Sequence, residues 1–171
     1  MPDTFSISGE AEIPAGRYAY HELTGTWETP SSRPLFLESN VNIGTFYDGW
    51  RVSLGVSPRW SVSSSLELRA LYKWNWVDFP RRRQEFTAHI GQLRILYMLN
   101  TKCSASAFIQ YNSAVDAVVA NIRLRYNPRE GVDFYLVYNE ALNTDRYRDI
   151  PILPPTNNRT ILLKCTYTFI Q

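Results

Sequence analysis

The chain has 171 residues, the length of a single domain, and 44% of them are hydrophobic, which excludes an intrinsically disordered protein. Its net charge of +2 is too small for the basic surface of a nucleic-acid-binding protein. No apolar run approaches the roughly 18 residues that a transmembrane helix needs, so a helical membrane protein is excluded as well. The 11 Tyr, 8 Phe and 5 Trp favour a protein with a boundary between apolar and aqueous surroundings, such as a membrane or binding surface.

Apolar and polar residues alternate along most of the chain with the two-residue period of β-strands, and no segment shows a helical period. The ten predicted strands are residues 5–13, 17–28, 35–46, 50–56, 66–76, 92–99, 104–112, 121–126, 132–138 and 160–169. Turns are predicted at Pro14-Ala15-Gly16, at Asp48-Gly49, at Pro58-Arg59 and at residues 127–131, with a long loop at residues 139–158.

Residues 66–76 show the alternation most clearly. One face of this predicted strand is wholly apolar and has aromatic residues at one end, whereas the other face carries charges of both signs. A soluble strand would turn the apolar face to a core, and a transmembrane strand would turn it to lipid. Aromatic rings at a strand end favour lipid, because they sit well at the membrane interface.

An even number of strands suits closure into an antiparallel up-and-down transmembrane β-barrel, and in lipid closure is required because unpaired backbone groups find no water. We therefore predict an all-β fold with residues 1–171 as one barrel domain of about ten strands, in which the last strand pairs with the first. The predicted connections between strands are short turns at one end of the barrel and longer loops at the other, as in outer-membrane barrels.

Charged residues of the polar faces would line the lumen of this barrel. The predicted lumen residues are Glu10, Glu12, Glu22, Glu38, Arg51, Glu67, Arg69, Lys73, Arg94, Arg123, Arg125 and Lys164. Closure would bring Lys164 close to Glu10 and Glu12. A ten-stranded lumen is only slightly wider than one that side chains fill, so we expect a network of salt bridges that plugs it. A path for a small solute or ion is the alternative.

Apolar and aromatic residues of the opposite faces would contact lipid. The predicted lipid-facing residues and aromatic girdle are Trp50, Leu66, Leu68, Tyr72, Trp74, Trp76, Tyr97, Tyr111, Tyr126, Tyr167 and Phe169. The lipid bilayer of an outer membrane is then the main partner.

Residues suited to catalysis or metal binding are few. His21 and His89 are the only histidines, and both fall on the predicted apolar face, so a hydrolase site of His89 with Asp78 or a serine is disfavoured. Cys103 and Cys165 have no metal-ligand spacing and are predicted to be free thiols. We expect a protein that is not an enzyme and has no cofactor or metal. The loop with residues 81–83, three arginines, is predicted to be solvated, with anionic lipid headgroups or glycans as the alternative.

A soluble lipocalin-like barrel that binds a small apolar ligand is the main alternative. Gly25-Thr26-Trp27 and Thr144-Asp145-Arg146 resemble short lipocalin motifs. Lipocalins, however, have a helix near the C-terminus, where this sequence shows no helical period.

Seven segments in order along the chain resemble the barrel of the domain-of-unknown-function family 5916. They are Pro14-Ala15-Gly16-Arg17-Tyr18, Phe46-Tyr47-Asp48-Gly49, Ser57-Pro58-Arg59, Val77-Asp78-Phe79-Pro80, Phe108-Ile109-Gln110-Tyr111-Asn112-Ser113, Arg123-Leu124-Arg125-Tyr126 and Val137-Tyr138-Asn139-Glu140. The resemblance implies the C-terminal barrel part of a longer outer-membrane protein, or a short relative that closes with ten strands. It implies location and fold more than function. We expect a non-enzymatic anchor or a component of surface glycan or solute handling, with glycans or other membrane-complex subunits as partners. The N-terminal residues lack the secretory signal that an exported outer-membrane protein needs, so either the chain is a mature product or a fragment, or the membrane interpretation is wrong.

Overall fold

The computed structural model describes residues 5–7, 11–147 and 150–168, and within these residues all regular structure is β-strand. The strands are β1 (Phe5–Ile7), β2 (Ala11–Ile13), β3 (Glu22–Glu28), β4 (Leu35–Phe46), β5 (Gly49–Ser61), β6 (Leu66–Phe79), β7 (Gln84–Met98), β8 (Cys103–Asn112), β9 (Ala117–Arg129), β10 (Val132–Asn143) and β11 (Thr156–Tyr167). Strands β3 to β11 form one sheet in chain order, and β1 and β2 form a separate hairpin. Every neighbouring pair is antiparallel. The all-β, antiparallel, up-and-down prediction is confirmed.

The prediction of one strand over residues 5–13 is wrong. The chain folds back within this segment, so that Phe5 lies opposite Ile13 and Ile7 lies opposite Ala11. Alternation does not distinguish one strand from a hairpin, because both arms of a hairpin keep the two-residue period. The main sheet therefore has nine strands rather than ten.

The predicted second strand also begins later, at Glu22 rather than at residue 17. Before it, the chain bends so that the Tyr18 hydroxyl donates to the Pro14 carbonyl at 2.6 Å. The ring of Tyr18 packs edge-on against Tyr47, with 5.3 Å between centroids. Aromatic packing at the end of the sheet thus replaces the hairpin that was predicted at Pro14, Ala15 and Gly16.

Pro58 lies inside β5 and does not end it. It remains opposite Leu37 of β4, but the register between β5 and β6 skips from Val56 to Arg59. Proline lacks an N–H donor, so it interrupts pairing on one side only and the strand continues. The turn comes instead at residues 62–65.

The two ends of the sheet do not divide into short turns and long loops, which corrects the predicted asymmetry. Residues 29–34, 62–65, 99–102 and 130–131 connect strands at one end, and residues 47–48, 80–83, 113–116 and 144–155 connect them at the other. Only the last connection is long, and it is shorter than the predicted loop because β10 and β11 extend into it. Pairing with a neighbour extends strands beyond the alternating residues, since each added residue satisfies backbone groups.

The turn between β4 and β5 is formed by Tyr47 and Asp48, one residue earlier than predicted. Gly49 is instead the first residue of β5, where an added Cβ would lie 2.1 Å from the carbonyl oxygen of Asp78. Close approach of β6, rather than a turn, requires glycine here. Gly131 does lie in a turn, with a φ of 76°.

A small apolar cluster lies at the end of the sheet that carries residues 47–48 and 80–83. Ile13, Val77 and Phe79 are buried, and four partly buried aromatic residues pack against them: Tyr18, Phe46, Tyr47 and Phe86. Within the described residues only Val132 is a further buried hydrophobic side chain. The sheet is therefore a single layer without an extended core.

Candidate functional site

The two faces of the nine-stranded sheet differ in chemistry. Arg69 and Lys73 of β6 lie on one face and Leu68 on the other, because successive residues of a strand point to opposite sides. The register carries this division to β7, where Arg94 lies opposite Arg69 and Ile95 lies opposite Leu68. We call the face with Arg69 the polar face and the face with Leu68 the apolar face.

Ten of the predicted lumen residues lie on the polar face by this register. They are Glu22, Glu38, Arg51, Glu67, Arg69, Lys73, Arg94, Arg123, Arg125 and Lys164. Glu10 lies outside the described residues, and the side chain of Glu12 in β2 is not described. Among the described residues β11 pairs only with β10, so the predicted pairing of the last strand with the first is not seen there. The expected contact of Lys164 with Glu10 and Glu12 involves side chains that are not described.

Three ion pairs join residues of the polar face. Arg51 bonds Glu22 at 3.0 Å, and Arg69 bonds Glu67 at 2.7 Å. Arg125 bonds Asp133 at 2.8 Å. Sequence reasoning missed Asp133, although its alternation with Phe134 placed it on the polar side of the ninth predicted strand.

The remaining charges of the polar face form a less balanced set. Seven charged residues of this face make no ion pair within residues 5–7, 11–147 and 150–168: Glu28, Glu38, Arg59, Lys73, Arg94, Arg123 and Lys164. Five of these seven are basic. The described part of the face is therefore not neutralised by its own carboxylates.

A row of arginines crosses three neighbouring strands of the polar face. Arg59 of β5 lies opposite Arg69 of β6, which lies opposite Arg94 of β7. We call these three residues the arginine ladder. A phenylalanine ends the row on each side: the Arg59 guanidinium lies 4.9 Å from the Phe36 ring centre, and that of Arg94 lies 5.5 Å from the Phe108 ring centre.

Beside the ladder is a groove of about 380 Å³. Its side chains on the polar face are those of Glu67, Arg69, Arg94, Leu96, Ser106, Phe108, Asn121 and Arg123. We call it the ladder groove. One carboxylate thus faces three guanidinium groups, and Asn121 is held from the far side by a hydrogen bond to Asn139.

A smaller recess of about 180 Å³ lies on the same face, towards β4. Its lining is mostly amide and hydroxyl groups, with Arg51 and Lys73 as the charged members. Ser53 donates to Asn75 across it at 2.8 Å. The polar groups of this recess are bonded to one another to a greater extent than those of the ladder groove.

The apolar face leaves large side chains exposed. Of the predicted lipid-facing residues, six are exposed, namely Trp50, Tyr72, Tyr97, Tyr111, Tyr126 and Tyr167. Leu66, Leu68, Trp74 and Trp76 are half-buried by their neighbours in the sheet, and Phe169 lies outside the described residues.

His89 lies on the apolar face, opposite Trp74. Its Nδ1 and the Tyr72 hydroxyl are 2.8 Å apart, so each polar group has a partner there. Asp78 lies opposite Glu85 rather than next to His89. The structure therefore does not bring His89 and Asp78 together as a hydrolase site would require. His21 precedes β3, and its carbonyl accepts a bond from Thr45 at 2.9 Å.

The three-arginine loop is partly structural. Arg82 donates to Asp48 at 2.7 Å and lies 4.0 Å from the centre of the Phe79 ring. This contact ties the turn at residues 80–83 to the turn at residues 47–48. Arg81 and Arg83 are exposed and remain available to solvent or to a partner.

Sequence reasoning missed one ion pair on the apolar face. Arg159 bonds Glu140, which also accepts from the Tyr138 hydroxyl. Glu140 falls in the predicted loop 139–158 and Arg159 lies between that loop and the last predicted strand, so the sequence did not place either residue on a strand. They lie near the connection 144–155, at the end of the apolar face.

No group of His, Cys, Asp or Glu among the described residues is arranged to hold a metal ion. Cys103 and Cys165 are free thiols, as predicted. Within the described ranges there is no helix long and apolar enough to cross a membrane.

No protein-family model matches the chain. No curated protein matches it either.

Proposed function

We propose that the chain forms the wall of a transmembrane β-barrel in an outer membrane, with the apolar face towards lipid and the polar face towards the lumen. It acts as a non-enzymatic anchor or as a component that handles surface glycans or solutes. One observation carries the proposal: the apolar face continues across nine strands and leaves large side chains such as Trp50, Tyr72 and Leu163 exposed. Water would oppose so large an exposed apolar surface, whereas lipid favours it.

The height of the apolar face supports the proposal. Ten residue steps separate Leu66 from Trp76 in β6, which is about 33 Å along the strand. A strand tilt of about 40° reduces this to about 25 Å along the membrane normal, the height of the apolar band in outer-membrane barrels. Asp78 follows Trp76 on this face, so charge begins where the apolar band would end.

The solvent-accessible surface area of the chain also supports the proposal. The chain exposes 12054 Å², whereas a globular monomer of its mass, 19.8 kDa, exposes about 8,600 Å². The excess arises because a single-layer sheet exposes both faces. A barrel in lipid accommodates such a layer, since lipid covers one face and the lumen takes the other.

The apolar cluster indicates which face would be interior. Val77 and Phe79 share their side of β6 with Lys73, so Ile13 packs on the polar face. A segment that folds against this side of the sheet would lie inside the barrel, near one mouth. The lipocalin-like alternative needs the opposite arrangement, with the apolar face inside.

Closure by an antiparallel pair requires further strands. In a nine-stranded antiparallel sheet the edge strands β3 and β11 run in the same direction, so direct pairing between them would be parallel. Outer-membrane barrels of single chains usually close with an antiparallel pair and an even strand count. An antiparallel barrel would therefore contain an odd number of strands besides these nine.

We further propose membership of the domain-of-unknown-function family 5916. The support is the ordered series of seven segments, which includes the turn at Tyr47 and Asp48 and the ladder neighbour Phe108. The proposal gives a location and an architecture rather than a reaction, since fold alone does not imply function.

Cysteine labelling tests which face meets lipid. Leu68→Cys and Arg69→Cys would be made in a chain whose own thiols are replaced, Cys103→Ser and Cys165→Ser, and refolded into lipid vesicles. A hydrophilic maleimide is expected to label Arg69→Cys through the lumen and not Leu68→Cys. The reverse pattern would point to a soluble barrel with an apolar interior.

The behaviour of the unmodified chain provides a second test. A membrane barrel requires detergent or lipid to refold, migrates differently on a gel before and after heating, and fractionates with the outer membrane. A chain that remains a soluble monomer without detergent would refute the proposal.

A further inference from the structure

Without a bound anion, the arginine ladder is electrostatically unfavourable. Arg59, Arg69 and Arg94 lie directly opposite one another on successive strands, about 4.8 Å apart along the sheet. Like charges in directly opposed positions destabilise a sheet. Three directly opposed arginines therefore indicate that the positive charge serves a role other than stabilising the sheet.

Contacts within the protein compensate this charge only in part. Glu67 neutralises Arg69 through one bond to Nε. Among the described residues Arg59 and Arg94 have no ion-pair partner; each lies over a phenylalanine ring, and cation–π contacts at exposed sites are weak. Arg123 makes no hydrogen bond or ion pair to any described residue. Because each guanidinium offers five N–H donors, most donors around the ladder groove are left unused.

The ladder groove has the dimensions and the chemistry of a small-molecule site. Its volume of about 380 Å³ lies within the usual range for ligand pockets, roughly 300 to 1,000 Å³. Arg94 and Arg123 border it from strands two places apart, and Ser106 lies between them with a hydroxyl group. The Phe108 ring supplies an apolar surface beside these donors.

We propose that the ladder groove binds a small organic oxyanion, a solute that carries a phosphate or carboxylate group. Arg94 and Arg123 bind the anionic group, since a guanidinium can hold two oxygens of either group at once. Ser106 donates a further hydrogen bond, and Phe108 contacts the carbon skeleton. Glu67 stays on Arg69 and repels a second anion. The inference rests on the proposed function, because it names the class of solute that would occupy the lumen.

Calorimetric titration of the full chain, refolded in detergent, tests the inference with four probes. Inorganic phosphate, a hexose monophosphate and a hexuronate carry the expected groups, and the neutral hexose is the control. The three anions are expected to bind and the hexose is not. Binding of the hexose with the same affinity as its phosphate would overturn the inference.

Matched variants locate the site. Arg94→Gln and Arg123→Gln are each expected to weaken binding of the hexose monophosphate about tenfold or more, because each removes a charge-assisted bond. Lys73→Gln removes an unpaired positive charge from the same face and the same strand as Arg69, outside the ladder groove, and should change affinity less than about twofold. Equal losses of affinity in all three variants would show that the overall positive charge of the polar face attracts the anion. That result would overturn the ladder groove as a specific binding site.

Stability separates binding from a structural role. Arg94→Gln relieves like-charge repulsion, so its resistance to denaturant should stay equal or rise while affinity falls. A fall in both would assign Arg94 to structure and overturn the inference. Failure of the membrane proposal has a different signature, because the chain would then refold without detergent. A chain that inserts into vesicles but binds none of the anions overturns the oxyanion site alone.

Discussion

Two arginine substitutions on β9 distinguish lipid from water at the apolar face. Ile122 lies on the apolar face opposite Ala107, and Val119 lies on the polar face opposite Gln110. Their exposures are similar, 40% for Ile122 and 45% for Val119. Ile122→Arg and Val119→Arg therefore make nearly the same chemical change on the same strand, but on opposite faces of the sheet.

The expected magnitude follows from the position of Ile122. It lies four residues from both Val118 and Tyr126, the ends of the apolar face on this strand, or about 13 Å in each direction. At a tilt of about 40° this distance is about 10 Å, which places Ile122 near the bilayer midplane. Arginine facing lipid there lowers the free energy of unfolding by about 2 to 4 kcal/mol. Val119→Arg should change it by about 0.5 kcal/mol or less, as on an aqueous surface.

Equilibrium unfolding by guanidinium chloride in lipid vesicles measures both values. A difference of about 3 kcal/mol is more than a hundredfold in the folding equilibrium, well above experimental error. Equal and small effects of the two substitutions would refute the membrane orientation, since both side chains would then face water. A larger loss for Val119→Arg would indicate that the polar face is the buried one.

Two further predictions concern the end of the sheet with the apolar cluster. Phe79→Ala should lower the free energy of unfolding by about 3 kcal/mol or more, because Phe79 is fully buried at 0% exposure, and a shift in the denaturation midpoint would measure it. A midpoint close to that of the unmodified chain would show that the cluster does not stabilise the fold. Gly49→Ala should cost about 1 to 3 kcal/mol, since its Cβ would meet the Asp78 carbonyl, whereas Gly91→Ala has open space and should be neutral or slightly stabilising. Similar unfolding curves for the two glycine variants would contradict the close approach at Gly49.

The division of residues between two faces was predictable from the sequence. Every described member of the predicted charged set lies on the side that alternation indicates, because the side-chain period of a strand is fixed by its backbone geometry. The arginine ladder was not predictable. The Pro58-Arg59 pair predicts a turn, and direct opposition of Arg59, Arg69 and Arg94 depends on registers between strands that no single segment contains.

By itself, the sequence determined the fold class and the chemistry of each face. Alternation is a local property, so apolar and charged positions could be read strand by strand from residues 35–46 to residues 160–169. The tertiary structure decided what depends on contacts between distant segments. These are the hairpin at β1 and β2, the passage of β5 through Pro58, the partner of Arg125, and the ladder groove between β6 and β9. Register is set by pairing of whole strands, and only pairing brings side chains far apart in the chain into one site.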